Sequence, residues 1–146
     1  MMRKIFMGAD HAGVLFKKKL KKYLETKGYF VIDLGSYEED KSVDYPDFAR
    51  LVCTRVLAEK AMGILICGSG IGMSIVANRY PGIRAALCWN PTVAKLSREH
   101  DDANILVLGA RLVSYPSAKA CVDVFLSSSF EGGRHQRRVD KIESNL

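Results

Sequence analysis

The 146-residue sequence contains no stretch near the ~18 consecutive apolar residues that a membrane-spanning helix requires. No transmembrane segment and no membrane partner are therefore expected. The apolar core of a secretory signal is missing as well, because Met1 to Gly8 gives way at once to Asp10, and a cytoplasmic location follows as the expectation. The four cysteines, Cys53, Cys67, Cys88 and Cys121, form no C-x-x-C pair and have no histidine at zinc spacing. They read as reduced thiols, not as a disulfide framework. No Gly-Lys-Ser/Thr is present, which excludes a Walker A loop. A dinucleotide fingerprint fails too: after Gly68 and Gly70, Met73 stands in the place of the third glycine. Histidine is confined to His11, His100 and His135.

What is there is ordinary globular composition, 48% hydrophobic and 26% charged, at a length that suits one domain over residues 1–146. The formal net charge of +6 favours an anionic ligand without naming one. Short aliphatic runs at 4–7, 30–34, 63–67, 83–87 and 105–108, each followed by a turn residue, predict strands. Between them, 3.6-residue periodicity predicts helices over 11–27, 45–59, 71–79, 91–98 and 116–126, with a last one over 134–143. In the first helix Leu15, Phe16, Leu20, Tyr23 and Leu24 form the apolar stripe, and the lysines from Lys17 to Lys22 read as a solvated face. Strand–helix alternation requires right-handed crossovers, so the expected fold is a three-layer α/β/α domain with a five-stranded parallel, Rossmann-like sheet.

Such sheets bind ligands beyond the carboxyl ends of their strands, which directs attention to four tips. The sharpest is Cys67-Gly68-Ser69-Gly70-Ile71-Gly72, where glycines let successive N–H groups point at one anion at the start of a helix. A thiolate is favoured at that place, and Cys67 becomes a candidate nucleophile or base; the other reading is a small buried strand-end residue. Imidazole titrates near neutrality, so His100 suits acid–base work. Asp10, His11, His100 and Asp101 lack the spacing of a metal site, and no metal is expected. Arg111, Arg134 and Arg138 suit phosphate oxygens, the last two being four residues apart on one helical face; a solvated basic helix is the alternative. The lysine cluster lacks interleaved aromatics, so no nucleic-acid partner is expected.

Taken in order, Gly8-Ala9-Asp10-His11-Ala12-Gly13, Val43-Asp44-Tyr45-Pro46-Asp47, the Cys67 turn, Gly82-Ile83-Arg84-Ala85-Ala86, Arg98-Glu99-His100 and Phe130-Glu131-Gly132-Gly133-Arg134-His135 resemble the type B ribose-5-phosphate isomerases. The resemblance implies interconversion of ribose 5-phosphate and ribulose 5-phosphate through a cis-enediolate, with no metal or other cofactor. It implies Cys67 as the base, His100 as the acid that opens the sugar ring, and the amides from Gly68 to Gly72, with Ser69, as the holders of the enediolate oxygens. Asp10 would bind hydroxyls, and His11, Arg111, Arg134 and Arg138 would bind phosphate or other parts of the sugar. A homodimer or tetramer is implied, with sites completed across the interface and the 134–143 helix reaching a neighbour. Asp101 stands where the family usually has Asn, which bears on substrate contact. Trp89 stands where many relatives have His, which bears on pocket size. A hexose-6-phosphate isomerase of the same superfamily is the second reading, and a non-catalytic nucleotide- or nucleic-acid-binding domain the third.

Overall fold

In the computed structural model, which describes residues 3–144, strands and helices alternate as their apolar periods demand. The strands are β1 (Lys4–Ala9), β2 (Phe30–Asp33), β3 (Met62–Cys67), β4 (Ala85–Leu87) and β5 (Ile105–Gly109). The helices are α1 (Val14–Thr26), α2 (Tyr45–Glu59), α3 (Ile71–Ala77), α4 (Pro91–Glu99), α5 (Tyr115–Ser127) and α6 (Arg134–Asp140). Local chemistry sets several starts. The Asn90 side chain accepts from Val93 N (2.9 Å), with Pro91 in the first turn of α4, and the Ser114 hydroxyl accepts from Ser117 N to cap α5.

All four strand pairings are parallel, in the order β2-β1-β3-β5-β4. Alternate strand residues feed opposite layers. Ile5, Met7, Ile64, Ile66, Leu106 and Leu108 pack with Leu20 and Leu24 of α1, Ala94 of α4 and Phe125 of α5. Phe6, Leu65, Cys67 and Val107 pack with Val52 and Val56 of α2 and with Met73 and Ala77 of α3. Each such fully buried large side chain contributes roughly 1.5–3 kcal/mol. The three-layer α/β/α expectation holds. The order reverses between β1 and β3, and a crevice opens there beyond their carboxyl ends.

Several expectations are corrected. Leu15 is exposed, whereas Lys17 is fully buried, so the lysine face of α1 is not uniformly solvated. Lys17 Nζ meets Asp33 Oδ1 and Oδ2 at 2.5 and 2.6 Å, and burial pulls its amine below the ordinary value although Asp33 opposes the shift. Strand β4 is shorter than expected because Arg84 is drawn aside: its backbone N donates to Asn104 Oδ1 and its Nε to the Asp102 carbonyl. Helix α6 ends at Asp140, before the expected 143. Lys17→Met leaves the Asp33 carboxylate largely buried and unpaired, and the expected loss is about 3 kcal/mol in urea denaturation. Adding Asp33→Asn, which keeps the acceptor for Gly35 N, recovers most of it; no recovery would show that charge is not the cause.

Candidate active site

Three strand ends converge on the crevice between β1 and β3. Asp10 follows β1, Cys67 ends β3, and Arg111 lies two residues beyond β5; together with Gly68, Ser69, Ile71 and Gly72 they line a cavity of about 580 Å³. Asp10 is buried and fixed by its own turn, its Oδ1 accepting from Ala12 N at 3.0 Å and its backbone N donating to Ile66 O. His11 begins that turn. Its Nδ1 accepts from Val43 N (3.2 Å), so the neutral ring carries its proton on Nε2 and pins the acidic 35–44 loop beside the cavity.

The thiol sits at the base of the glycine turn. Cys67 is buried, and the Gly70 N–H is aimed at its Sγ at 3.2 Å, a contact worth most when the sulfur is an anion. Gly70 reaches this pose with φ +79°, and a Cβ there would lie 2.5 Å from Leu87 Cδ1 and 3.1 Å from the Leu108 backbone. Regular bonding in α3 starts only where Ser74 N donates to Gly70 O (3.0 Å), so the first-turn N–H groups have no acceptor one turn earlier. Ile71 N donates instead to Ser69 Oγ at 3.1 Å. Burial pushes Cys53 up to about 11 and Cys88 up to about 12, and raises Cys121 as well. Cys67 alone of the four lines the cavity with the glycine turn.

The remaining predicted site residues lie at the opposite, amino-terminal end of the strands. Helix α4 runs back against the strands and ends at Glu99. Asn104, at the start of β5, accepts from Gly63 N at the start of β3. His100 and Asp101 are therefore separated from Cys67 by the length of β3, roughly 20 Å for six residues. Helix α6, with Arg134 and Arg138, folds to the same end, where Glu131 N donates to Glu99 O and Glu143 Oε1 accepts from Gly82 N. Asp101 is exposed beside a cavity of about 530 Å³. A larger concavity, about 850 Å³, is also at this end, but Lys4 is paired with Glu59 and Arg84 and Arg98 with Asp102, and no thiol or histidine lines it.

A family model described as ribose/galactose isomerase matches residues 5–142. The chain belongs to that family. It is 45% identical over 142 residues to the Escherichia coli K12 ribose-5-phosphate isomerase B, covering 97% of this chain and 95% of that one. A crystal structure of the Thermotoga maritima ribose 5-phosphate isomerase superposes with a TM-score of 0.93 at 53% identity, covering 97% of both chains. The Mycoplasma genitalium ribose-5-phosphate isomerase B, solved with bound ribulose 5-phosphate, gives a TM-score of 0.93 at 46% identity, covering 97% of this chain and 95% of that one. The type B resemblance seen in the sequence is borne out, and the protein is an isomerase of this family.

One subunit of this isomerase thus unites Asp10, Cys67, Gly68, Ser69, Ile71, Gly72 and Arg111, and leaves His100, Asp101, Arg134 and Arg138 apart. Three residues that the sequence reading gave no role of their own matter here. Gly109 lies under the turn, where a Cβ would stand 2.4 Å from Ser69 O. Tyr45 lines the same cavity, its ring close enough to Gly72 that a Cβ there would meet it at 2.5 Å. His135 is largely buried against His100. Trp89, expected to bear on pocket size, is exposed and absent from the lining of the Cys67 cavity.

Proposed function

We propose that the protein interconverts ribose 5-phosphate and ribulose 5-phosphate through a cis-enediolate. The observation that carries the reading is the Cys67 sulfur, held by the Gly70 N–H at 3.2 Å in a cavity shared with Asp10 and Arg111. The Cys67 thiolate removes the C2 proton of the open-chain aldose and returns it to C1. The resulting enediolate oxygens face the Gly68–Gly72 turn, where the amides not already donating to Cys67 and Ser69, with the Ser69 hydroxyl, are placed where negative charge develops. Those dipoles take the part a metal would otherwise play, so no cofactor is needed. Asp10 holds sugar hydroxyls, while His11 Nε2–H and the Arg111 guanidinium suit phosphate oxygens.

His100 opens the furanose ring, and Asp101, Arg134 and Arg138 contact the substrate, all from a second copy of the chain. What supports this is the separation of the two groups within one subunit and the apolar rim of the cavity, where Ile71, Ile75 and Leu112 are 52%, 54% and 69% exposed. The working unit is a homodimer or a tetramer built from it, with α6 reaching the neighbour. Reduced thiols at all four cysteines suit the cytoplasm.

A coupled assay on ribose 5-phosphate tests the reading. Turnover is expected and should persist unchanged in excess chelator. Activity that disappears with chelator and returns with a divalent ion would overturn the metal-free mechanism. Preference for a six-carbon 6-phosphate would replace the pentose by a hexose.

A further inference from the structure

Beyond the Cys67 cavity, one cluster of titratable groups stands out. His100 and His135 stack with ring centroids 4.2 Å apart and planes 13° from parallel. Glu131 Oε1 lies 3.4 Å from His100 Nε2 and 3.6 Å from His135 Nε2. The three groups are close enough to invite a metal reading. Near-parallel rings aim their Nε2 lone pairs side by side, however, whereas a tetrahedral ion needs ligands that converge on it. One carboxylate oxygen instead faces two imidazole edges at ion-pair distance.

We propose that Glu131 and His135 are positioning residues for His100, the carboxylate fixing its Nε2 edge and the stacked ring fixing its plane, so that Nδ1 is presented to the sugar. The inference rests on the isomerase reading and extends it. His135 is held by both its burial and its place on α6, one residue beyond Arg134, so it serves as a wall for the half-exposed His100 ring. Burial, then His100 and Arg134, lower the His135 pKa although Glu131 opposes the shift, so the neutral form of His135 is favoured. Arg138 acts in the same direction on His135. Asp101, next to His100 in the chain and just beyond the end of α4, adds a second negative charge.

In ring opening, the anomeric hydroxyl passes its proton to water as C1=O forms and the C1–O4 bond breaks. O4 takes a proton from His100, which water then restores. A mispositioned His100 slows this step and leaves the later Cys67 proton transfer alone. Ribulose 5-phosphate has its 5-hydroxyl esterified and forms no furanose, so exchange of its C1 proton with deuterium oxide needs no ring opening.

The test measures both reactions in Glu131→Gln and Glu131→Ala, exposed changes that leave the core intact, and in His135→Phe, which keeps a stacked ring. Turnover of ribose 5-phosphate is expected to fall about tenfold or more in both Glu131 variants, while C1 exchange in ribulose 5-phosphate stays within about twofold of the unaltered protein. His135→Phe should lose less than Glu131→Ala. Equal loss of both reactions, or no loss of turnover in either Glu131 variant, would overturn the positioning role. An unaltered protein that neither isomerises nor exchanges would overturn the isomerase reading itself.

Discussion

Cys67→Ala should lose about 10²–10⁴-fold in kcat for ribose 5-phosphate while still binding the sugar phosphate. The substitution removes the sulfur that the Gly70 N–H meets at 3.2 Å, and with it the only thiol in the cavity. It disturbs little else. Cys67 is small and buried at a strand end, and the turn around it is set by the positive φ of Gly70 and the close approach of Ser69 to Gly109. The turn amides, Asp10 and Arg111 remain to hold the ligand, so affinity measured by calorimetry should change several-fold at most. Cys67→Ser should fare little better than alanine, since a hydroxyl at that place is far harder to ionise than a thiol. Near-normal kcat in either variant would remove Cys67 from the mechanism. Lost binding together with lost rate would point to a collapsed turn instead.

Mixing two inactive variants should restore activity. If Cys67 of one subunit works with His100 of another, Cys67→Ala and His100→Ala each abolish most turnover when alone. In a randomly reassembled two-fold dimer, about half of the molecules are hybrids. One of the two sites in each hybrid contains both altered residues and the other contains neither. About a quarter of all sites are then intact, and the mixture should recover roughly that share of wild-type activity. The control is a mixture of Cys67→Ala with Ser69→Ala, both in the same cavity of one subunit, for which every hybrid site carries a lesion and no recovery is expected. Absence of recovery in the first mixture, with hybrids verified by mass spectrometry, would show that His100 does not serve the Cys67 of a partner. The placement of His100 roughly 20 Å from Cys67 within one chain is what makes the outcome decisive.

Features that depend on neighbouring residues were legible in the sequence. The apolar run ending at Cys67, followed by Gly68, Gly70 and Gly72, marks a strand, a turn and a helix start whatever surrounds it, and the structure has all three. Pro46 and Pro91 sit in first helical turns as their fixed φ requires. Lys17 shows where this kind of reading fails. Its spacing of three and seven from Leu20 and Leu24 puts it on the buried stripe of α1, unlike Lys18 and Lys19, but its partner Asp33 lies sixteen residues away on β2, and no local pattern names that partner. Gly109 is similar: as a strand-end glycine it looks ordinary, and its importance comes from the Ser69 backbone that folds onto it from β3.

The sequence by itself determined the alternation of strands and helices, the parallel sheet and the identity of the thiol beside the glycine turn. Each follows from residue spacings within about twenty positions, over which backbone geometry and side-chain period act directly. Only the tertiary structure decided that β5 lies between β3 and β4, that the crevice opens between β1 and β3, and that His100 is at the amino-terminal end of the strands. Sheet order and helix direction arise from pairings between distant segments, each stabilised by hydrogen bonds and buried area that no short stretch encodes. The stacking of His135 on His100 belongs to the same class, because it exists only where α6 folds back against the end of α4.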